Sequence, residues 1–217
     1  MSSNEVPQAQ DGELWVPSPQ LRQAVEIVCD RDPDFQKIEA ETGPLTVRQW
    51  APGFPSLVRI ILGQQLSSRA AQAIFHRLRE AVELTPAHLA AAPEATLAQV
   101  GFSRAKIGTC QRLSQAILWG QLDLDGLNRL SDPDAVGSLM QIKGIGAWTA
   151  EVYLLFCLKR VSSFPASDLA VQISYQRLKN LDHRPTRKEL LADTDFLDPY
   201  RGAVAHLLWH YYRGKRG

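Results

Sequence analysis

The chain has 217 residues, 45% of them hydrophobic and 22% charged, with a formal net charge of +1. That balance is ordinary for a soluble globular protein of one large or two small domains. No apolar run approaches the roughly twenty residues of a membrane span, and the opening MSSNEVPQAQDGE lacks the basic flank and apolar core of a signal peptide.

In chain order, residues 1–14 read as a disordered tail. Ser18-Pro19 reads as an N-cap with proline at the first helical position, and Leu21, Val25 and Val28 follow at helical spacing. Asp32-Pro33 opens a short helix that Gly43-Pro44 closes, and 45–50 is the one stretch with strand-like alternation. Residues 55–64 (PSLVRIILGQ) are apolar on several sides, as in a buried helix. Ser67 or Ser68 starts the next, with Ala71, Ile74, Phe75 and Leu78 on one face. Residues 86–91 and 93–100 form short helices punctuated by proline and glycine. Ser103 caps a helix to about Trp119, with Ile107, Leu113, Ile117 and Leu118 facing inward. Asp132-Pro133 caps one ending near Met140; others cover 147–158, Asp168 to Lys179, a stretch from Thr186, and Pro199-Tyr200 to Arg213. The fold class is therefore all-α: two small helical bundles flanking a cleft. Residues 15–55 and 161–217 form a discontinuous N/C-terminal domain, and 56–160 a central one.

The small net charge hides an asymmetry. Residues 1–50 carry nine acids and four bases, so the remainder has a net charge of +6. A basic body is compatible with phosphate binding. Cys29, Cys110 and Cys157 include no C-x-x-C pair, which fits thiols of a reducing compartment. Three scattered cysteines cannot hold a four-cysteine iron–sulfur cluster. The five histidines show no metal-binding pattern; His206 and His210 share one helix face.

The informative stretch is 139–156, LMQIKGIGAWTAEVYLLF. Two helices meet at Lys143-Gly144-Ile145-Gly146, where glycines permit a tight turn and close approach. The amides of Gly144, Gly146 and Ala147 open the second helix, and unpaired amides with the helix dipole form an anion site. By itself this turn reads equally well as a plain corner between two helices. Asp168 is the only acid in the loop that follows, and by itself it reads as an N-cap.

The combination is more specific. L-x-x-I-K-G-I-G-x-W-T-A resembles the helix-hairpin-helix of the base-excision DNA glycosylase superfamily, and FPASDLAV its loop with the catalytic aspartate. Ile61-Leu62-Gly63-Gln64-Gln65-Leu66-Ser67, followed by Ala70-Ala71, resembles the G-Q-Q-[LI]-S segment of the 3-methyladenine DNA glycosylase II (AlkA-like) branch. Pro199-Tyr200-Arg201 through Trp209 resembles that branch's C-terminal helix.

The resemblance implies a monomeric enzyme acting on double-stranded DNA that contains alkylated bases. It would flip out a cationic purine and hydrolyse its N-glycosidic bond, with Asp168 stabilising the oxocarbenium charge. It implies a base pocket of Trp148 and Trp209, with Val152, Tyr153 and Trp50 as further lining candidates. The branch often has an aromatic where this chain has Val152. It implies a wedge at Leu66 with Gln65. Backbone contacts are expected from Lys143, Gly144, Ile145, Gly146, Ala147 and Thr149. The carbonyls of Met140, Ile142 and Ile145 correspond to a site for a structural Na+ or K+; no other cofactor is implied. The Schiff-base lysine of strand-cleaving relatives is replaced by Trp148, so base removal without lyase activity is expected. The branch's N-terminal β-rich domain is expected to be missing or reduced. Location would be cytoplasmic and nucleoid-associated in a bacterium, or nuclear in a eukaryote, with no membrane partner. A glycosylase for uracil, hypoxanthine or ethenoadenine, and a non-catalytic hairpin DNA-binding protein, remain alternatives.

Overall fold

The computed structural model describes residues 14–215. It divides into two compact units: the chain up to Gln49 together with the chain from Lys159, and Trp50–Leu158 between them. The breaks fall ahead of those expected at 55/56 and 160/161. No described helix is long and apolar enough to cross a membrane.

The first unit opens with a two-residue strand, β1 (Leu14–Trp15), paired antiparallel with β2 (Val47–Arg48). Most of the expected tail lies outside the described residues, but Leu14 belongs to this strand, because it finds a ladder partner in Arg48. Between the strands run α1 (Pro19–Arg31) and α2 (Gln36–Thr42). The Ser18 hydroxyl caps α1 by accepting from the Leu21 amide. After the second unit the chain returns as α10 (Leu169–Lys179), α11 (Arg187–Asp193) and α12 (Arg201–Gly214). Thr186 and Glu189 form a reciprocal capping box on α11.

Helix α12 is the axis of this unit. Every residue from Gly202 to Tyr211 is buried, and the helix packs on α1, α2 and α10. Polar groups on it are satisfied locally: Arg213 donates to the Thr46 carbonyl at 2.6 Å, and His210 Nε2 lies 3.1 Å from the Gly43 carbonyl. Lys179 joins Asp32 at 2.6 Å and Asp34 at 2.8 Å, tying α10 to the end of α1.

Burial pushes the pKa of His206 down to about 3 and lowers that of His210. Below about pH 6.5 the unfolded chain binds protons at these imidazoles that the folded chain does not. Stability is therefore expected to fall as pH falls from 6.5 towards 3, and the contribution vanishes above neutrality. The His206 slope approaches about 1.4 kcal/mol per pH unit. Thermal melts at pH 7.5 and 5 should show a smaller acid-induced drop in His206→Gln than in the parent; equal drops would refute the assignment.

The second unit contains α3 (Phe54–Gly63), α4 (Ser68–Ala81), α5 (Pro86–Ala91), α6 (Glu94–Gln99), α7 (Arg104–Leu118), α8 (Asp132–Met140) and α9 (Ala147–Phe156). Helix α3 buries Phe54, Leu57, Val58, Ile60, Ile61 and Leu62, and α9 buries every residue from Thr149 to Phe156. The two pack on each other, and α7 packs on α3 and α5. Helix α9 stops at Phe156, short of the expected 158, where Cys157 caps it. Leu118 was expected inside but is 52% exposed. It lies on the margin of the Ile107–Cys110–Leu113 stripe, where the helix ends.

Candidate functional site

In the first unit, Asp168 stands at the N-cap of α10. Its Oδ1 accepts from the Val171 amide at 3.0 Å and from Trp209 Nε1 at 3.0 Å. One oxygen thus serves the helix cap and the indole together, which holds that oxygen in place. The preceding loop is built into the core: Ser163 to Ala166 are buried, and Gln172 donates to the Ala166 carbonyl at 2.9 Å. The Gly202 amide donates to the Val161 carbonyl at 2.6 Å. Loop, cap and α12 therefore hold the aspartate still. The cap and the catalytic candidate are one residue.

Two neighbours were not foreseen in these roles. Burial lowers the pKa of Arg48, and the Asp168 charge works in the opposite direction, so the two charges attract. Nothing in the sequence marks Arg48 beyond its place in the strand candidate. His206 lies edge-on to Trp209, with ring centroids 6.3 Å apart, and stays neutral through the physiological range.

In the second unit, the hairpin joins α8 to α9. Gly144 takes φ +103°, and a Cβ there would collide with the Thr109 side chain. Glycine is required on both counts. Gly146 differs: a Cβ there meets nothing within 4 Å. Ile142 and Ile145 are buried and anchor the turn, and the Ile145 amide donates to the Ile142 carbonyl, so the phosphate contact expected of Ile145 is not supplied by its side chain or its amide. Among the described residues, the amides of Gly144, Gly146 and Ala147 donate to no backbone carbonyl. They stand at the N-terminus of a ten-residue helix, with Lys143 exposed beside them. That arrangement suits a phosphate. Thr149 can make the contact expected of it only through its amide, in the first turn of α9. The residue is 1% exposed and its hydroxyl accepts from Gln64 Nε2 at 2.8 Å.

The three carbonyls expected to hold a monovalent cation belong to the last residue of α8, Met140, and to Ile142 and Ile145 just beyond it, where the helix dipole is negative. The Ile142 carbonyl accepts from the Ile145 amide at 2.9 Å, and a carbonyl's second lone pair can still bind a cation. The donor set fits a hard ion such as Na+ or K+. Among the described residues, no group of His, Cys, Asp and Glu side chains could hold a metal.

The wedge candidates occupy the turn between α3 and α4. Gln65 has φ +56° and is exposed, and Leu66 is 40% exposed. The Ser67 hydroxyl then caps α4. A large apolar side chain held exposed at a turn is unlike a core leucine.

The pocket candidates separate. Trp148 is half-buried at the start of α9. Val152 and Tyr153 are core residues at 3% and 0% exposure, and the Tyr153 hydroxyl accepts from the Gly53 amide at 2.8 Å. Neither presents an open wall, because α9 turns that face inward. One face of Trp50 is already taken, with the Arg59 guanidinium 4.5 Å from its ring centroid, and Phe156 meets it edge-on. A concavity of about 420 Å³ in this unit, lined by Gly53, Phe54, Ile117 and Leu122 among others, includes none of the predicted residues.

The comparisons with known proteins agree on one kinship. A model of the HhH-GPD superfamily base excision DNA repair proteins matches residues 58–199. The DNA-3-methyladenine glycosylase 1 of Schizosaccharomyces pombe is 34% identical over 161 residues, 72% of this chain and 71% of that protein. A solved structure of a 3-methyladenine DNA glycosylase from the same yeast, in complex with abasic DNA, matches with a TM-score of 0.81 and 29% identity. That match covers 86% of this chain and 95% of the other. A DNA-3-methyladenine glycosidase from Bacillus halodurans has a TM-score of 0.70 and 28% identity, over 89% of each chain.

Proposed function

The chain belongs to the HhH-GPD superfamily of base excision DNA repair proteins, and from that premise we propose that it is a DNA glycosylase that removes alkylated purines from duplex DNA. The observation that carries the reading is Asp168, pinned through one oxygen by the α10 cap and by Trp209. Cleaving an N-glycosidic bond builds positive charge on the sugar, and a fixed carboxylate stabilises it without reorganising. The C1′–N bond breaks with its electron pair passing to the base, so a cationic methylated purine leaves neutral. Water adds at C1′, and its proton passes to Asp168 and then to solvent. The product is an abasic sugar.

Base removal requires extrusion from the stack. The Gln65-Leu66 turn supplies an apolar wedge of the kind that fills the vacated gap, and the hairpin amides grip the backbone. Trp148 offers an aromatic face, worth about 0.5–2 kcal/mol towards a cationic base. The reaction ends at the abasic site: Trp148 stands where strand-cleaving relatives carry the lysine nucleophile, and an indole cannot form a Schiff base.

The test is chromatographic release of 3-methyladenine and 7-methylguanine from methylated duplex DNA, beside uracil, hypoxanthine and ethenoadenine substrates. Release of the methylpurines without borohydride-trapped adduct is expected. No release of any base with duplex binding intact would leave a non-catalytic hairpin protein. Release of only deaminated or etheno bases would move the substrate class.

The carbonyls of Met140, Ile142 and Ile145 would hold a monovalent cation, adding positive charge beside the bound phosphate. Duplex affinity is then expected to be several-fold higher in KCl than in tetramethylammonium chloride at equal ionic strength. Equal affinities would remove the cation from the account.

A further inference from the structure

The wedge turn and the hairpin are joined by hydrogen bonds that neither motif announces. Gln64 caps α3 just before the wedge turn. Its Nε2 donates to the Gly144 carbonyl at 3.1 Å and to Thr149 Oγ1 at 2.8 Å. One side-chain amide therefore spans from the base of the wedge turn to both sides of the hairpin turn.

Helix α7 supports both partners from behind. Lys106 Nζ donates to the Leu62 carbonyl at 2.6 Å and the Gln64 carbonyl at 2.9 Å, capping the C-terminus of α3. One turn on, Thr109 fills the space beneath Gly144. A further turn on, Arg112 Nε donates to the Lys143 carbonyl at 3.0 Å. Burial lowers the pKa of Lys106, so this ammonium has given up water to hold the two carbonyls.

The wedge turn has one left-handed residue, Gln65, and a single backbone hydrogen bond of its own, from the Leu66 amide to the Gly63 carbonyl at 3.2 Å, which is little to resist bending. An intercalating side chain must nevertheless meet its base step at a set distance from the gripped phosphates, and a misplacement of about 1 Å can cost about a hundredfold in rate. We propose that Gln64 is a positioning residue that latches the Gln65-Leu66 wedge turn to the hairpin. Lys106 holds the latch in place. The proposal rests on the reading of Leu66 as the wedge. The hairpin then sets the register, and the wedge enters the duplex at a step fixed relative to it.

The test uses the full chain and a duplex with 2-aminopurine beside a tetrahydrofuran abasic analogue, so wedge insertion is read as stopped-flow fluorescence with no base to release. Gln64→Met keeps length and volume and removes both donors. It is expected to slow insertion by about tenfold, to match Leu66→Ala in amplitude, and to leave affinity for undamaged duplex within about twofold. Thr149→Val keeps the shape and removes one acceptor, so it should slow insertion less; Thr149→Ser should restore it. Wild-type insertion rates in both Gln64→Met and Thr149→Val would overturn the proposal. So would equal losses in insertion and in undamaged-duplex binding, which would mark general scaffolding. Should Gln64→Met fail to fold, the Thr149→Val and Thr149→Ser pair decides by the same criterion. Absence of a base-release activity would leave this assay standing, whereas a parent protein without any fluorescence change would overturn the wedge reading and the latch together.

Discussion

Asp168→Asn is expected to reduce alkylpurine release by at least about a thousandfold, the scale on which removal of one preorganised electrostatic partner slows related chemistry. The substitution is nearly isosteric. Asparagine Oδ1 can still accept from the Val171 amide and from Trp209 Nε1, so the cap and the indole contact survive. What is lost is the negative charge that balances the oxocarbenium ion. Arg48 loses a neighbouring anion at the same time, and a thermal melt run beside the assay reads that cost separately. Duplex affinity should stay within about twofold, because the hairpin is untouched. Trp209→Phe makes the complementary point. It keeps the charge and removes one donor, so a loss of about tenfold is expected, in line with one hydrogen bond. Asp168→Asn turnover within tenfold of wild type would end the catalytic assignment.

Gly144→Ala is expected to have the largest effect on binding. The backbone there sits at φ +103°, and the new methyl group would meet the Thr109 side chain. The strained dihedral costs about 1–3 kcal/mol and overpacking about as much again. The hairpin cannot keep its turn, so its amides lose their common aim at a phosphate. Duplex affinity should fall at least about tenfold, with a lowered melting temperature. Adding Thr109→Ala should recover a small part of the stability, because it removes the Oγ1 and Cγ2 contacts but leaves the Thr109 Cβ at 2.9 Å and the dihedral as they are. Gly146→Ala is the control, because a Cβ there meets nothing within 4 Å. Its melting temperature should stay near that of the parent. Similar melting of the Gly144→Ala and Gly146→Ala variants would refute the steric account.

That contrast shows where sequence reading stops. Both glycines belong to one motif and look equivalent in it. Only Gly144 is required by packing, and the reason is Thr109, thirty-five positions earlier on α7. Tyr153 is a similar case. An aromatic residue near the hairpin reads as pocket lining, but the rotation of α9 puts its ring in the core and its hydroxyl on the Gly53 amide. Trp50 became a partner of Arg59. Gln64 looked like one more letter of the Gln-Gln-Leu segment, and its amide proved to reach the hairpin.

What the sequence determined alone was local or short-range. Ser18, Ser103 and Thr186 cap their helices, as residue type and spacing require. Apolar periodicity placed the helices, and four ordered segments pointed to the family and to Asp168. These signals survive in one dimension because a cap, a stripe or a turn involves residues within a few positions of each other. The tertiary structure decided that the Tyr153 ring lies in the core with its hydroxyl on the Gly53 amide, that Trp209 holds the Asp168 carboxylate, that the Arg48 and Asp168 charges interact, and that the wedge turn is tied to the hairpin. Each of these depends on helix rotation and on partners 41 to 120 positions apart, such as Asp168 with Trp209 or with Arg48, whose distances no local pattern encodes.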